Sequence, residues 1–153
     1  MKSKILLVDD DVAVVAALSG VFRSEGYDII QAFNGQQALE YFREVSGAAL
    51  VLLDLNMPVK GGWATFERLI AINPLLPIIV ITACPDQAAH AEAAGVDALM
   101  EKPLDIPLLL ETVRALLAET SEARHSRTSQ RNSQPSPLEM LGTHAGNPGG
   151  TGV

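Results

Sequence analysis

Four apolar runs each stop at a residue able to do chemistry. Asp54 follows Leu50-Val51-Leu52-Leu53 and opens the stretch Asp54-Leu55-Asn56-Met57-Pro58. Asp9 and Asp10 follow Ile5–Val8, Thr82 closes the run Ile78–Ile81, and Lys102, with Pro103 after it, follows Ala98–Glu101. If these runs are parallel strands of one sheet, their C-terminal ends share an edge, and residues far apart in sequence meet there. Three carboxylates crowded together repel one another. A hard divalent cation with oxygen ligands is the simplest way to hold them, and Mg²⁺ favours one or two carboxylates, waters and a phosphate oxygen. A cation there also neutralises a phosphoryl group approaching Asp54, while Lys102 and Thr82 supply a positive charge and a hydrogen bond to its oxygens. Phosphoryl transfer needs little beyond such positioning and charge stabilisation, and a carboxylate is a competent nucleophile that forms acyl phosphates.

The elements that must position these groups are legible as periodicity. Five short runs, Ile5–Val8, Tyr27–Gln31, Leu50–Leu53, Ile78–Ile81 and Ala98–Glu101, alternate with longer segments of helical spacing. Four of the runs are nearly continuous in Ile, Leu and Val, as strands buried on both faces are. Val12–Ser24 carries apolar residues at Val12, Val15, Ala16, Leu18, Val21 and Phe22, and Gln36–Val45 carries them at Ala38, Leu39, Phe42 and Val45, spacings of three and four that fall on one helix face. Further helices fit Trp63–Ile72, ended by Pro74, Asp86–Ala94, closed by Gly95, and Ile106–Glu119. Asp11 stands before the first helical stripe as its N-cap. The pattern predicts an α/β fold, (βα)5, with a doubly wound five-stranded parallel sheet and helices on both faces.

Bulk composition bounds the rest. A chain of 153 residues, 48% of them hydrophobic, fits one domain with a proper core. The formal charge of −7 and the lack of a basic stripe speak against a nucleic-acid or membrane-surface binder. The single cysteine, Cys84, suits a reducing compartment. With neither a signal peptide nor a membrane span, the reading is a soluble, cytoplasmic protein. The folded part is expected over residues 1–119. Residues 120–153, rich in Ser, Gly and Pro and poor in large apolar side chains other than Leu138, Met140 and Leu141, read as a disordered tail. Leu138–Leu141 reads as a bland stretch or, less readily, a docking segment.

Over roughly residues 3–118 the chain resembles the response-regulator receiver domain of two-component signalling, a CheY-like, flavodoxin-like fold. The matching features are Val8-Asp9-Asp10, the stretch Asp54 to Pro58 with Gly62 four residues beyond, Thr82-Ala83, and Lys102-Pro103. Each is weak alone; in this order and at these strand ends they are specific. The resemblance implies that Asp54 is the phosphoryl acceptor. Asp10 is then a direct Mg²⁺ ligand, Asp9 its water-mediated neighbour, and Asn56 contributes a backbone carbonyl to the metal. Thr82 becomes the switch hydroxyl and Lys102 the phosphoryl counter-ion, with a cis bond between Lys102 and Pro103. The phosphoryl donor is a phosphohistidine on a sensor histidine kinase or a phosphotransfer protein. The family's partner surface is the fourth helix, fifth strand and fifth helix. One position departs from the pattern: receivers commonly carry an aromatic residue three before the lysine, and here it is Leu99. The usual aromatic readout is therefore expected to be weaker or to lie elsewhere.

These features favour a single-domain response regulator whose output is protein contact, with no effector domain in the residues after 119. Relaying the phosphoryl group onward is the neighbouring alternative. A phosphohydrolase of the haloacid dehalogenase type also uses a strand-end Asp, but expects a second Asp two residues on; Asn56 stands there, and an amide cannot shuttle the proton. A binding scaffold that is never phosphorylated leaves the acidic cluster without a use. As a signalling switch the chain acts only on its own aspartate, so it is not expected to be a product-forming enzyme. Cys84 reads equally as a modulator beside the site or a small, partly buried spacer, Trp63 as packing or a semi-exposed surface residue, and His90 as a solvated residue, neither ligand nor phosphorylation site.

Overall fold

The computed structural model describes residues 2–44, 47–57 and 61–129. The chain runs β1 (Lys4–Val8), α1 (Val12–Ser24), β2 (Asp28–Ala32), α2 (Gly35–Glu44), β3 (Ala48–Asp54), α3 (Gly62–Ile72) and β4 (Ile78–Thr82). A single 3-10 turn, Pro85–Gln87, leads into α4 (Ala88–Ala94), followed by β5 (Ala98–Glu101), α5 (Ile106–Ala118) and α6 (Ser121–Ser129). All strand pairs are parallel, in the order β2-β1-β3-β4-β5. The chain leaves β1 for the β2 edge and returns to β3, so the direction of winding reverses between β1 and β3. That reversal opens a crevice at the C-terminal ends of the two strands, the place where such sheets bind ligands.

Alternation along the strands builds two cores. Leu6, Val8, Val51, Leu53, Ile78 and Val80 face Ala38 and Leu39 of α2, Trp63, Phe66 and Leu69 of α3, and Ala91 and Ala94 of α4. Their neighbours Ile5, Leu7, Leu50, Leu52, Ile79 and Ile81 face Val15, Leu18 and Phe22 of α1 and Leu109, Leu110, Val113 and Leu116 of α5. The central strands are apolar through their lengths, with Lys4, Asp54 and Thr82 only at their ends, because both of their faces are covered.

Element ends follow local chemistry. Asp11 caps α1 as expected, accepting from the amides of Ala13 and Val14 at 2.9 and 3.3 Å. Gly95 stops α4 in the left-handed conformation with φ 72°. The segment expected as one helix from Asp86 instead begins with the 3-10 turn, because Pro85 fixes φ and lacks an N–H, and α-helical bonding sets in only at Ala88. Strand β2 lies one residue later than its apolar run suggests, since its register is set by pairing with β1, Lys4 to Asp28 through Val8 to Ala32.

Residues 121–129 correct the expected tail boundary. They form α6, held by polar contacts and little by apolar burial. Thr120 caps it by accepting from Ala123 N–H at 3.1 Å, and Arg124 donates to the Leu116 carbonyl at 2.8 Å. Arg127 pairs with Glu119 at 2.7 Å and with Asp97, whose other oxygen accepts the Ile78 amide at 2.6 Å. Composition argued against a helix there because it weighs apolar area, whereas these charges meet partners supplied by the fold. Residues 130–153, with the Leu138–Leu141 patch, lie outside the described residues. No described helix is long and apolar enough to cross a membrane.

Candidate functional site

The C-terminal edge of the sheet brings the expected groups together. Strand β1 delivers Asp9 at its end, and the Asp9 amide is fixed by the Ala32 carbonyl at 3.1 Å. Asp54 is the last residue of β3, and the next amide, Leu55 N–H, bonds Ile81 O of β4 at 2.9 Å. Thr82 ends β4, and its carbonyl accepts Lys102 N–H at 2.8 Å beyond β5. Asp9, Asp54 and Thr82 are almost fully buried, whereas Asp10 is exposed.

Side-chain contacts organise the charges. Lys102 Nζ donates to Asp9 Oδ2 at 3.1 Å and lies 3.6 Å from Asp54 Oδ2. Asp9 Oδ1 accepts the Asp11 amide at 2.9 Å, and Asp54 Oδ1 accepts the Asn56 amide at 3.1 Å. Among the described residues, Asp9, Asp10 and Asp54 offer carboxylate oxygens all within 4.8 Å of one another. Hard oxygen donors so closely set fit a hard divalent cation. The Lys102–Pro103 bond is cis. Pro58 of the sequence motif lies outside the described residues.

Electrostatics follow from burial. Removal from water pushes the Asp54 carboxyl up to about 6, and the Asn56 amide and Lys102 draw it down less than burial and Asp9 raise it. Burial works against the Lys102 ammonium, but its hydrogen bond to Asp9 and the charges of Asp54 and Asp9 outweigh that and hold it above its ordinary value.

Two neighbours complete the site. A Cβ at Gly62, the first residue of α3, would stand 2.8 Å from Asp54 O and closer still to Leu55 Cα, so only glycine lets α3 start this near the end of β3. Beyond β4, Thr82 Oγ1 accepts the Cys84 amide at 2.9 Å, and Gln87 accepts the indole N–H of Trp63 at 3.0 Å. The sequence offers Trp63 as packing or a semi-exposed surface residue, of which the structure shows the buried one, and does not single out Gln87. Nothing in a spacing of 24 residues announces their bond. Cys84 is an exposed free thiol, and Leu99 is half-buried against the α2–α4 core.

Parallel strands in 2-1-3-4-5 order with an acidic crevice at the winding reversal define a receiver-like α/β domain. The response regulator receiver domain family matches residues 5–114, and the chain belongs to that family. It is 39% identical over 123 residues to the transcriptional regulatory protein ZraR of Salmonella typhimurium, covering 79% of this chain and 28% of that protein. It is 32% identical over 145 residues to the transcriptional regulatory protein PrrA of Mycobacterium tuberculosis, covering 93% of this chain and 61% of that protein. The chain thus spans less than two thirds of either relative. Among solved structures, the response regulator TrrA of Thermotoga maritima in complex with Mg²⁺-BeF superposes with a TM-score of 0.70 at 30% identity, over 76% of this chain and 99% of that one. A CheY-like receiver domain protein from Methanospirillum hungatei gives 0.71 at 27% identity, over 76% and 94%. The chain is therefore a signalling receiver of two-component systems.

Proposed function

We propose that Asp54 is the phosphoryl acceptor of this receiver and that its phosphorylation alters a surface read by another protein. A phosphohistidine of a sensor histidine kinase or a phosphotransfer protein is the donor. The P–N bond to imidazole breaks as a P–O bond to an Asp54 oxygen forms, and the imidazole leaves with its electron pair to be reprotonated. The observation that carries the reading is the seat of Asp54: a buried strand-end carboxylate flanked by Asp9 and by the Lys102 ammonium at 3.6 Å, with Thr82 ending the adjacent strand.

Each residue has a share in the chemistry. Lys102 presents its charge to the developing phosphoryl oxygens, and Thr82 donates its hydroxyl hydrogen to one of them. The Asn56 amide orients Asp54 through Oδ1. Asp9, Asp10, Asp54 and the backbone carbonyl of Asn56 would hold Mg²⁺, as supported by the close-set carboxylates and by the Mg²⁺-BeF complex of TrrA. When bound, the ion supplies charge neutralisation that lets an anionic phosphoryl group approach a carboxylate. Output passes by protein contact through α4, β5 and α5, or by relay of the phosphoryl group.

The test is acetyl phosphate with Mg²⁺, read by intact mass, with Asp54→Asn as control. One phosphate adduct that requires both Asp54 and Mg²⁺ is expected. Absence of an adduct from acetyl phosphate and from a panel of phosphorylated histidine kinases overturns the reading in favour of a scaffold.

A further inference from the structure

The segment between Thr82 and α4 is tied at both ends. At the near end the Cys84 amide donates to Thr82 Oγ1 at 2.9 Å, while the hydroxyl itself reaches only a long 3.4 Å contact with Cys84 O. One lone pair of the hydroxyl is thereby committed to the loop and its hydrogen is weakly held, ready for a stronger acceptor. At the far end Gln87 Oε1 accepts the Trp63 indole N–H at 3.0 Å.

Trp63 is a fixed post. It is buried, stands edge-on to Phe66 with centroids 5.7 Å apart and planes at 85°, and has the His90 ring 6.5 Å away on α4. It follows Gly62, whose amide bonds the Leu55 carbonyl at 3.3 Å. Since Leu55 N–H bonds Ile81 O, the bonds close a ring from Asp54 through Gly62, Trp63 and Gln87 back to Thr82. The residues before and after the acceptor crevice are thus joined by one side-chain hydrogen bond.

We propose that Trp63 and Gln87 are positioning residues for the phosphoryl chemistry at Asp54: their hydrogen bond anchors the loop whose Cys84 amide holds the Thr82 hydroxyl, and so sets how long the phosphoryl group survives. This rests on Asp54 being the acceptor, as proposed above. In hydrolysis a water oxygen attacks phosphorus, the P–O bond to Asp54 breaks, the Asp54 carboxylate is restored with the bond's electron pair, and inorganic phosphate leaves with the water's oxygen and one of its protons, the other passing to solvent. With the loop anchored, Thr82 keeps its donor on a phosphoryl oxygen and Cys84–Gln87 restricts the path of that water. With the anchor cut, the loop opens and water enters.

The test follows adduct lifetime. The full chain is phosphorylated with acetyl phosphate and Mg²⁺, the donor is removed by desalting, and the adduct is followed by intact mass in wild type, Trp63→Phe, Gln87→Leu, the double variant and Gln87→Glu. Trp63→Phe keeps an aromatic ring without the N–H, and Gln87→Glu keeps an acceptor. Both single variants should lose the phosphoryl group about three- to tenfold faster, the span of one ordinary hydrogen bond. The double variant should be no faster than either single, the non-additivity of a shared contact, and Gln87→Glu should retain the wild-type lifetime. Lifetimes within about twofold of wild type in both singles, or additive effects in the double, overturn the tether. No Asp54 adduct in the wild-type chain overturns instead the acceptor reading beneath it. Unfolding midpoints measured alongside separate a loosened loop from a chain that no longer folds.

Discussion

Lys102 and Asp54 face each other at 3.6 Å while the same ammonium hydrogen-bonds Asp9 at 3.1 Å, so one cation serves two buried carboxylates. With Asp10 as a third carboxylate in the cluster, full ionisation leaves two negative charges unmatched. The fold holds a charge deficit at the crevice that a divalent cation matches.

That deficit predicts a pH-dependent cost. The Asp54 carboxyl titrates at about 6 in the folded chain and near its ordinary value of 3.8 when exposed. Between these values the folded chain holds a proton that the unfolded chain has lost. Stability from this group is therefore greatest below the lower value, falls as pH rises, and is fully lost above about 6. In metal-free buffer at neutral pH, Asp54→Asn should stabilise the protein by about 1–3 kcal/mol, and the gain should vanish near the lower value. Urea unfolding across this range checks it, and a destabilised variant at neutral pH would sink the idea. Added Mg²⁺ should shrink the difference.

Lys102→Met should act in the opposite direction. Without the ammonium, Asp9 and Asp54 lie buried side by side with no counter-charge, a loss of about 2–4 kcal/mol by denaturant unfolding in metal-free buffer. Adding Asp9→Asn to it should recover part of that loss, because Asp54 then has only Asp10, itself exposed, as a like charge beside it. A double variant as unstable as the sum of the singles would refute this account.

Gly62→Ala should displace α3 from the end of β3. The new methyl meets backbone at Leu55 and Asp54, which cannot swing aside as a side-chain tip can. A loss of about 1–3 kcal/mol is expected, together with slower phosphoryl uptake at Asp54. Uptake and stability equal to wild type would show that α3 shifts without cost.

Helix α6 should depend on Asp97, although the two are distant in sequence. Asp97→Asn keeps an oxygen for the Ile78 amide but drops the charge that meets Arg127. Amide hydrogen exchange over 121–129 should quicken by about tenfold, with little change in the sheet. Because the Asp97 side chain is fully buried, moderate salt should not reproduce the effect. Unchanged protection of α6 would mean that Arg124 and Glu119 suffice to hold it.

Strand ends and helix faces were legible because burial on both sides of a parallel sheet demands near-continuous Ile, Leu and Val, and each catalytic-type residue interrupts such a run. Asp9, Asp10, Asp54, Thr82 and Lys102 thus fall on one edge by their places in the sequence. The N-cap at Asp11 and the stop at Gly95 are legible for a different, local reason: a backbone need selects a side chain at that position. The 3-10 turn was less so, since Pro85 marks a break without saying how the chain resumes.

The order of elements, the edge on which the acidic residues gather and the family to which the chain belongs are written in the chain, because they depend on periodicity and on neighbours a few residues apart. Which polar groups meet is settled in three dimensions: Trp63 with Gln87, Arg127 with Asp97 and Glu119, and Lys102 with two carboxylates at once. Hydrophobic burial sums over many residues and leaves a pattern in the chain. A single hydrogen bond or ion pair between distant residues depends on two directions in space, and leaves none.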